Sequence, residues 1–128
     1  MIVGIGSDLV RVERLEKAFG RFGERFARRI FTPAEQACCN ERGDRFSCYA
    51  KRFAAKEALV KALGQGMREG IWFLDVEVEN NSLGQPRLNI TGEAGRRIEA
   101  LGGVTTHVSL SDDSGFALAF VVLEKNHD

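Results

Sequence analysis

The sequence predicts an α+β fold, a single domain in which an antiparallel sheet packs with helices. Two observations carry that prediction. In the first half of the 128-residue chain the apolar residues Val12, Leu15, Phe19, Phe22, Phe26 and Ile30 recur in steps of three and four, the spacing of one helix face. In the second half, short runs alternate apolar and polar residues between turn clusters, which is the period of half-buried strands. No internal repeat or interdomain linker breaks the chain, so residues 1–128 are expected to form one unit around one core.

Met1 to Val10 is β-branched and holds Gly4 and Gly6, which suits a short buried strand whose backbone something else approaches closely. The helical face from Val12 to Ile30 follows, divided at Gly20 and Gly23, with Arg14, Arg21, Arg25 and Arg28 forming a second stripe offset from the apolar one. Thr32-Pro33-Ala34-Glu35 is a helix start: Thr as N-cap, Pro at the first helical position, Glu at the third. Glu41 to Arg45 reads as a loop, and a longer helix is predicted over Ser47 to Leu63, capped by Gly64. Gly64-Gln65-Gly66 is a turn. Trp72 to Glu79 is predicted to be a strand with Trp72, Leu74, Val76 and Val78 inward, Asn80 to Pro86 a turn, and Arg87 to Ile90 its partner. A short helix over Glu93 to Leu101 ends at Gly102-Gly103. Thr105 to Ser111 and Gly115 to Glu124 then make a hairpin through Asp112-Asp113-Ser114-Gly115.

The 18 basic and 18 acidic side chains cancel, and 28% charged with 44% hydrophobic residues excludes a disordered or low-complexity chain. The balance hides a division: residues 1–61 carry a net charge of +5 and residues 62–128 a net charge of −5. A basic surface around Arg11 to Arg29 should meet something anionic. The longest uncharged apolar run, Phe116 to Leu123, is too short to span a bilayer, and no secretory signal is read at the amino terminus, so the expected location is cytoplasmic. Cys38, Cys39 and Cys48 are an odd set with a vicinal pair ill-suited to a disulfide or a zinc site, and free thiols are expected.

The chemistry concentrates in a few residues. Glu57 and Lys61 lie four apart on one helix face, the spacing of an ordinary surface ion pair, but with small Ala54 and Ala58 beside them and a glycine turn after them. Asp8 ends an apolar strand, where a carboxylate must be paired, bind a metal, or cap the next helix. Carboxylates from two elements, such as Asp8 and Glu57, are what a magnesium ion takes from protein, leaving its other positions to water and phosphate oxygens. Gly64 to Gly66 match neither a dinucleotide fingerprint nor a P-loop, so a phosphate near them would rely on cations such as Lys61 and Arg52. In the strand around His107, period two puts His107, Ser109 and Ser111 on one face, either the wet face of a sheet or a row able to bind phosphate or ribose.

Taken in order, Gly4-Ile5-Gly6-Ser7-Asp8-Leu9-Val10, Arg52-Phe53-Ala54-Ala55-Lys56-Glu57-Ala58 with Lys61, Leu63-Gly64-Gln65-Gly66, Gly84-Gln85-Pro86-Arg87 and His107-Val108-Ser109-Leu110-Ser111 resemble the bacterial holo-acyl-carrier-protein synthases. These are the single-unit type of 4'-phosphopantetheinyl transferase, and the likeness covers nearly the whole chain. The resemblance implies that fold, and transfer of the 4'-phosphopantetheine arm of coenzyme A to a serine of apo-acyl carrier protein, in support of fatty acid biosynthesis. It implies Asp8 and Glu57 as magnesium ligands and, with Lys61, as catalytic residues. It further implies Arg52, Lys61, Gly64, Gly66, His107 and Ser109 along the coenzyme A site, and a homotrimer with an active site at each subunit boundary. The arginine stripe of Arg14, Arg21, Arg25 and Arg28 would receive the acidic carrier protein. Some members carry a second histidine after the Ser-x-Ser stretch, where this chain has Asp112-Asp113.

Two other classes compete. A basic nucleic-acid-binding domain lacks support, since the chain has one Trp, one Tyr, no ribonucleoprotein motif and no net charge. A magnesium-dependent hydrolase would act on coenzyme A without the carrier. Transferases of broader specificity resemble two fused copies of this unit and are about twice as long.

Overall fold

The computed structural model describes residues 1–64 and 72–126. Its elements run β1 (Ile2–Arg11), α1 (Val12–Phe22), α2 (Glu24–Ile30), α3 (Pro33–Asn40), α4 (Arg45–Ala62), a 3-10 turn (Phe73–Asp75), β2 (Val76–Asn80), β3 (Pro86–Ile90), α5 (Gly92–Ala100), β4 (Val104–Asp113) and β5 (Phe116–Lys125). The α+β expectation holds. Strands β1, β5 and β4 form one antiparallel sheet in that order, and β2 and β3 form a second, two-stranded one. The amino-terminal strand therefore joins the carboxy-terminal hairpin, with β5 in the centre.

Helix α4 lies across one face of the three-stranded sheet, and nearly its whole circumference is buried, from Cys48 through Ala62 apart from Lys51, Glu57 and Lys61. The glycines of β1 permit the contact. A Cβ on Gly4 would overlap the Ala62 carbonyl oxygen, and one on Gly6 would overlap that of Ala58 and come within 2.7 Å of the Ala62 nitrogen. Strand and helix thus meet backbone to backbone, as the two glycines foretold.

Register fixes which side chains share a face. Gly6, Asp8 and Val10 lie opposite Val121, Ala119 and Ala117, which in turn face Val108, Leu110 and Asp112. Gly6, Val10, Ala117, Ala119 and Val121 are buried against α4. Ile5, Ser7 and Leu9 alternate to the other face with Val122, Phe120 and Leu118, then His107, Ser109 and Ser111. That face is open: Ile5 is 58% and Leu9 62% exposed, so β1 is buried on one side only, a correction to the buried strand expected from its apolar composition.

The core holds one buried ion pair. Lys56 of α4 donates all three protons, to Glu35 Oε1 at 2.7 Å, to the Phe73 carbonyl at 3.0 Å and to the Val76 carbonyl. Glu35 also accepts from Thr32 N at 3.0 Å and Val78 N at 2.9 Å, the first being half of the expected capping box. Burial lowers the Lys56 pKa, and the Glu35 carboxylate works against that. This pair explains a second correction. The segment from Trp72 was expected to be extended, but the pull of Lys56 on two of its carbonyls curls Phe73–Asp75 into a 3-10 turn. Asp75 is fixed there by accepting from Glu93 N at 3.0 Å and Thr91 N at 2.8 Å. Trp72 and Leu74 consequently point out and not in.

The other boundaries shift by a few residues. Gly23, at φ 61°, separates α1 from α2, while Gly20 stays inside α1. The hairpin turn is only Ser114-Gly115, both in the left-handed region, so β4 runs on to Asp113. The free-thiol expectation is overturned for two cysteines: Cys39 of α3 and Cys48 of α4 form a disulfide with Cα atoms 5.4 Å apart, and Cys38 is the free one. Vicinal placement is no obstacle, because the partner of Cys39 comes from another helix.

Gly6→Ala should cost about 2–3 kcal/mol, since neither backbone can retreat without opening the sheet or the helix. Gly20→Ala, in open space within α1, should instead raise stability by about 0.5–1 kcal/mol. Urea unfolding of both variants checks the pair, and equal small effects would contradict the contact.

Candidate active site

The β1–α4 contact sets Asp8 beside the last turns of α4. Lys61 Nζ donates to Asp8 Oδ1 at 3.1 Å and to the Ser7 carbonyl at 3.1 Å. The i,i+4 spacing had offered Glu57 as the lysine's partner, but the ion pair that forms crosses to the strand. Asp8 does not cap the following helix either; that position is Arg11, which makes no side-chain capping bond. Its carboxylate is only 17% exposed, and Lys61 is half exposed, so the pair sits at the edge of the protein where Lys61 can be drawn to another anion.

Glu57 faces the same place. Burial raises its pKa first, and the Asp8 charge raises it further, while Lys61 and Arg14 pull it down. Two carboxylates brought together from different elements, the charge of Asp8 disfavouring the ionisation of Glu57, are a donor set for a hard divalent cation. Among the described residues no third carboxylate, histidine or cysteine joins them. Two protein oxygens with the remaining positions open to water and phosphate fit magnesium and not the closed nitrogen and sulfur shell of structural zinc. Gly64, with φ 80°, closes α4 by donating to the Lys61 carbonyl at 2.9 Å, and Gln65 and Gly66 lie outside the described residues.

The other expected residues are elsewhere. Arg52, 5% exposed, donates to Cys48 Sγ at 3.1 Å, Cys38 Sγ at 3.4 Å and Asn80 Oδ1 at 3.0 Å, and its Nε has no partner. It lines a cavity of about 300 Å³ with Arg42, Lys51 and Ser109, beyond the free edge of β4. The adjoining cavity, about 550 Å³, is lined by His107 with Gln85, Pro86 and Arg87. His107 Nε2 lies 3.0 Å from Glu124 Oε1 on the exposed face. Asp8 and His107 thus occupy opposite faces of the sheet with β5 between their strands, about 10 Å of lateral separation, and one chain does not bring the two groups together.

All four arginines of the stripe are exposed. Arg14 is nearest the carboxylates, over the Phe53 ring at 5.3 Å. Arg21 lies over Phe22, Arg28 pairs with Glu24 at 3.6 Å, and Arg25 borders an apolar groove with Phe22, Phe26 and Trp72. Sequence reasoning missed Arg42 and Lys51 as part of the basic cavity. It also missed the anchoring role of Lys56, for which a signal existed, a lysine amid Phe53, Ala54, Ala55, Ala58 and Leu59 in a helix with hardly any polar face.

Because its folded pKa is raised, Glu57 favours the fold when protonated and weakens it as pH rises through that pKa. Without divalent cation, Glu57→Gln should therefore raise the melting temperature at pH 7 and leave it unchanged below pH 4. A calorimetric series over pH tests this, and an unchanged or lower value at pH 7 would contradict it.

The family model of the 4'-phosphopantetheinyl transferase superfamily matches residues 4–121. The chain is 50% identical to the holo-[acyl-carrier-protein] synthase of Methylobacterium sp. (strain 4-46), over 100% of this chain and 98% of that one. It is also 50% identical to that of Cereibacter sphaeroides (strain ATCC 17029 / ATH 2.4.9), over 97% and 93%. Among solved structures, the holo-[acyl-carrier-protein] synthase of Neisseria meningitidis superposes with a TM-score of 0.88 at 40% identity, covering 98% of this chain and 100% of that one. That of Helicobacter pylori, solved in complex with coenzyme A, gives 0.82 at 32% identity, covering 94% and 99%. With the fold and nearly the full length shared, the chain belongs to the 4'-phosphopantetheinyl transferase superfamily, among its holo-[acyl-carrier-protein] synthases.

Proposed function

We propose that the chain, one domain over residues 1–128, transfers the 4'-phosphopantetheine arm of coenzyme A to a serine hydroxyl of apo-acyl carrier protein, releasing adenosine 3',5'-bisphosphate. The observation that carries the site assignment is the meeting of Asp8, Glu57 and Lys61 at the β1–α4 contact. Asp8 and Glu57 would hold magnesium, which when bound would supply positive charge to offset that of the diphosphate. Lys61 leaves or shares Asp8 to steady a phosphate oxygen. Asp8 is held by that lysine, whereas burial raises the pKa of Glu57, so Glu57 takes the proton of the attacking serine. Arg52, with Lys51 and Arg42 around it, receives a phosphate of the donor. His107, Ser109 and Gly64 border the rest of the coenzyme.

The division of these groups between opposite sheet faces supports a composite site in which one copy supplies Asp8, Glu57 and Lys61 and its neighbour supplies His107 and Ser109. The open face offers the surface for that contact: Ile5, Leu9, Leu118 and Phe120 make an apolar band across β1 and β5. A homotrimer, as the family resemblance implies, closes this arrangement. The carrier protein docks on Arg14, Arg21, Arg25 and Arg28, beside the groove bordered by Phe22, Phe26 and Trp72. No helix among the described residues is long and apolar enough to cross a membrane, and a cytoplasmic setting in fatty acid biosynthesis, with no nucleic acid or membrane partner, completes the reading.

Intact mass spectrometry of apo-carrier protein incubated with the chain, coenzyme A and magnesium should show a gain of about 340 Da, one arm by covalent composition. EDTA or Glu57→Ala should abolish it. Ile5→Asp should yield monomers by sedimentation and no transfer, and an active monomer would contradict the composite site. Charge reversal at Arg14 or Arg21 is expected to raise the KM for carrier protein about tenfold, one charge-pair's worth, with little change in that for coenzyme A. Equal effects on both constants would remove the docking role.

A further inference from the structure

Two of the three cysteines contact the one arginine assigned to a phosphate. Cys38 and Cys39 are consecutive on α3: Cys39 is fully buried and joined to Cys48 of α4, and Cys38 is exposed and free. Arg52, one turn after Cys48, touches both helices, with Nη1 on Cys48 Sγ at 3.1 Å and Nη2 on Cys38 Sγ at 3.4 Å. No carboxylate among the described residues pairs with it, and its Nε is buried without a partner. A guanidinium held by two weakly accepting sulfurs and one amide oxygen, with no carboxylate partner, lies at the wall of a cavity it shares with Arg42 and Lys51, where an Nη1 proton is left for an anion.

We propose that Cys38, Cys39 and Cys48 form a thiol–disulfide switch, entered through Cys38, that sets how firmly Arg52 holds a phosphate of the donor. The proposal rests on the assignment of Arg52 to that phosphate. Cys39 and Cys48 are closed to solvent, so exchange begins at Cys38. Its thiolate attacks the disulfide of an oxidised low-molecular-weight thiol, forming a mixed disulfide and expelling one thiol, which keeps the proton. The Cys48 thiolate then attacks the Cys38 sulfur and expels the second thiol. The Cys39 thiolate finally attacks Cys48, leaving the Cys39–Cys48 bond and restoring Cys38. Two protein thiols are oxidised and one small disulfide is reduced to two thiols; excess reduced thiol drives the same steps backward. Direct Cys38–Cys39 pairing is a poor geometry for neighbours in a helix, so the route runs through Cys48, which Arg52 already holds beside Cys38.

Reduction loosens the phosphate contact. Breaking the bond replaces a covalent spacing by a van der Waals separation of roughly 3.5–4 Å inside a packed region, so α3 and α4 no longer fix the two sulfurs that flank Arg52.

The test uses the full chain equilibrated in glutathione buffers of different ratio, with thiols counted by alkylation and mass. With alkylation in denaturant, one free thiol is expected in the oxidised form and three in the reduced. The probe is adenosine 3',5'-bisphosphate, which has no thiol to disturb the equilibrium. Calorimetry should give about a tenfold weaker Kd for the reduced form, the weight of one charge-assisted hydrogen bond. Cys39→Ser/Cys48→Ser should match the reduced protein, and Cys38→Ser should slow exchange at least about tenfold because its entry point is lost. Three free thiols in every buffer, or equal Kd values in both forms while Arg52→Lys weakens binding, would overturn the switch and leave the Arg52 assignment intact. Unchanged exchange rates in Cys38→Ser would overturn the entry route. Unchanged binding in both Arg52→Lys and Arg52→Ala would remove the Arg52 assignment, and the switch with it.

Discussion

The close approach of β1 to α4 is the constraint on which the rest of the structure depends. Two positions on the strand carry no side chain because the carbonyls of Ala58 and Ala62 occupy the space a Cβ would take. Small residues on the helix complete the fit. Any larger separation would move Asp8 away from Lys61 and Glu57, since about fifty residues of chain lie between the strand that carries the first and the helix that carries the other two. The chemistry of the site is thus fixed by backbone packing first and by charge second.

Two lysines five positions apart on α4 show how differently one helix uses the same side chain. Lys56 is sealed in the core with every proton donated and its Glu35 partner satisfied by two backbone amides. Such a pair adds little net stability over apolar packing, but removing one member would leave a buried charge, so it fixes the arrangement of α3, α4 and the turn before β2. Lys61 reaches the solvent edge and shares a single carboxylate. Its contact is weak enough to exchange for a phosphate, which suits a ligand-binding role where the Lys56 contact would not.

Much of this was legible in the sequence, for identifiable reasons. Periodicity located α1 and α2, helix propensity and a capping glycine located α4, turn chemistry located the β4–β5 hairpin and the capping box at Thr32, and the two glycines announced a close approach. Asp8, Glu57 and Lys61 stand out as chemistry from residue type and spacing alone. The failures share one cause, contacts between distant segments. Lys56 bends Phe73–Asp75 away from the strand its alternation favoured, and Cys48 reaches Cys39 across two helices. Leu9 reads as core on composition alone, yet the register turns it to the open face. Local pattern describes one segment at a time and is silent about its partner.

Manganese binding followed by electron paramagnetic resonance, with coenzyme A present, tests the central claim most directly, because the ion takes the same carboxylate, water and phosphate oxygens as magnesium. The account predicts one bound ion per chain, lost alike in Asp8→Asn on the strand and Glu57→Gln on the helix. Full affinity retained in either variant would contradict a site shared between β1 and α4.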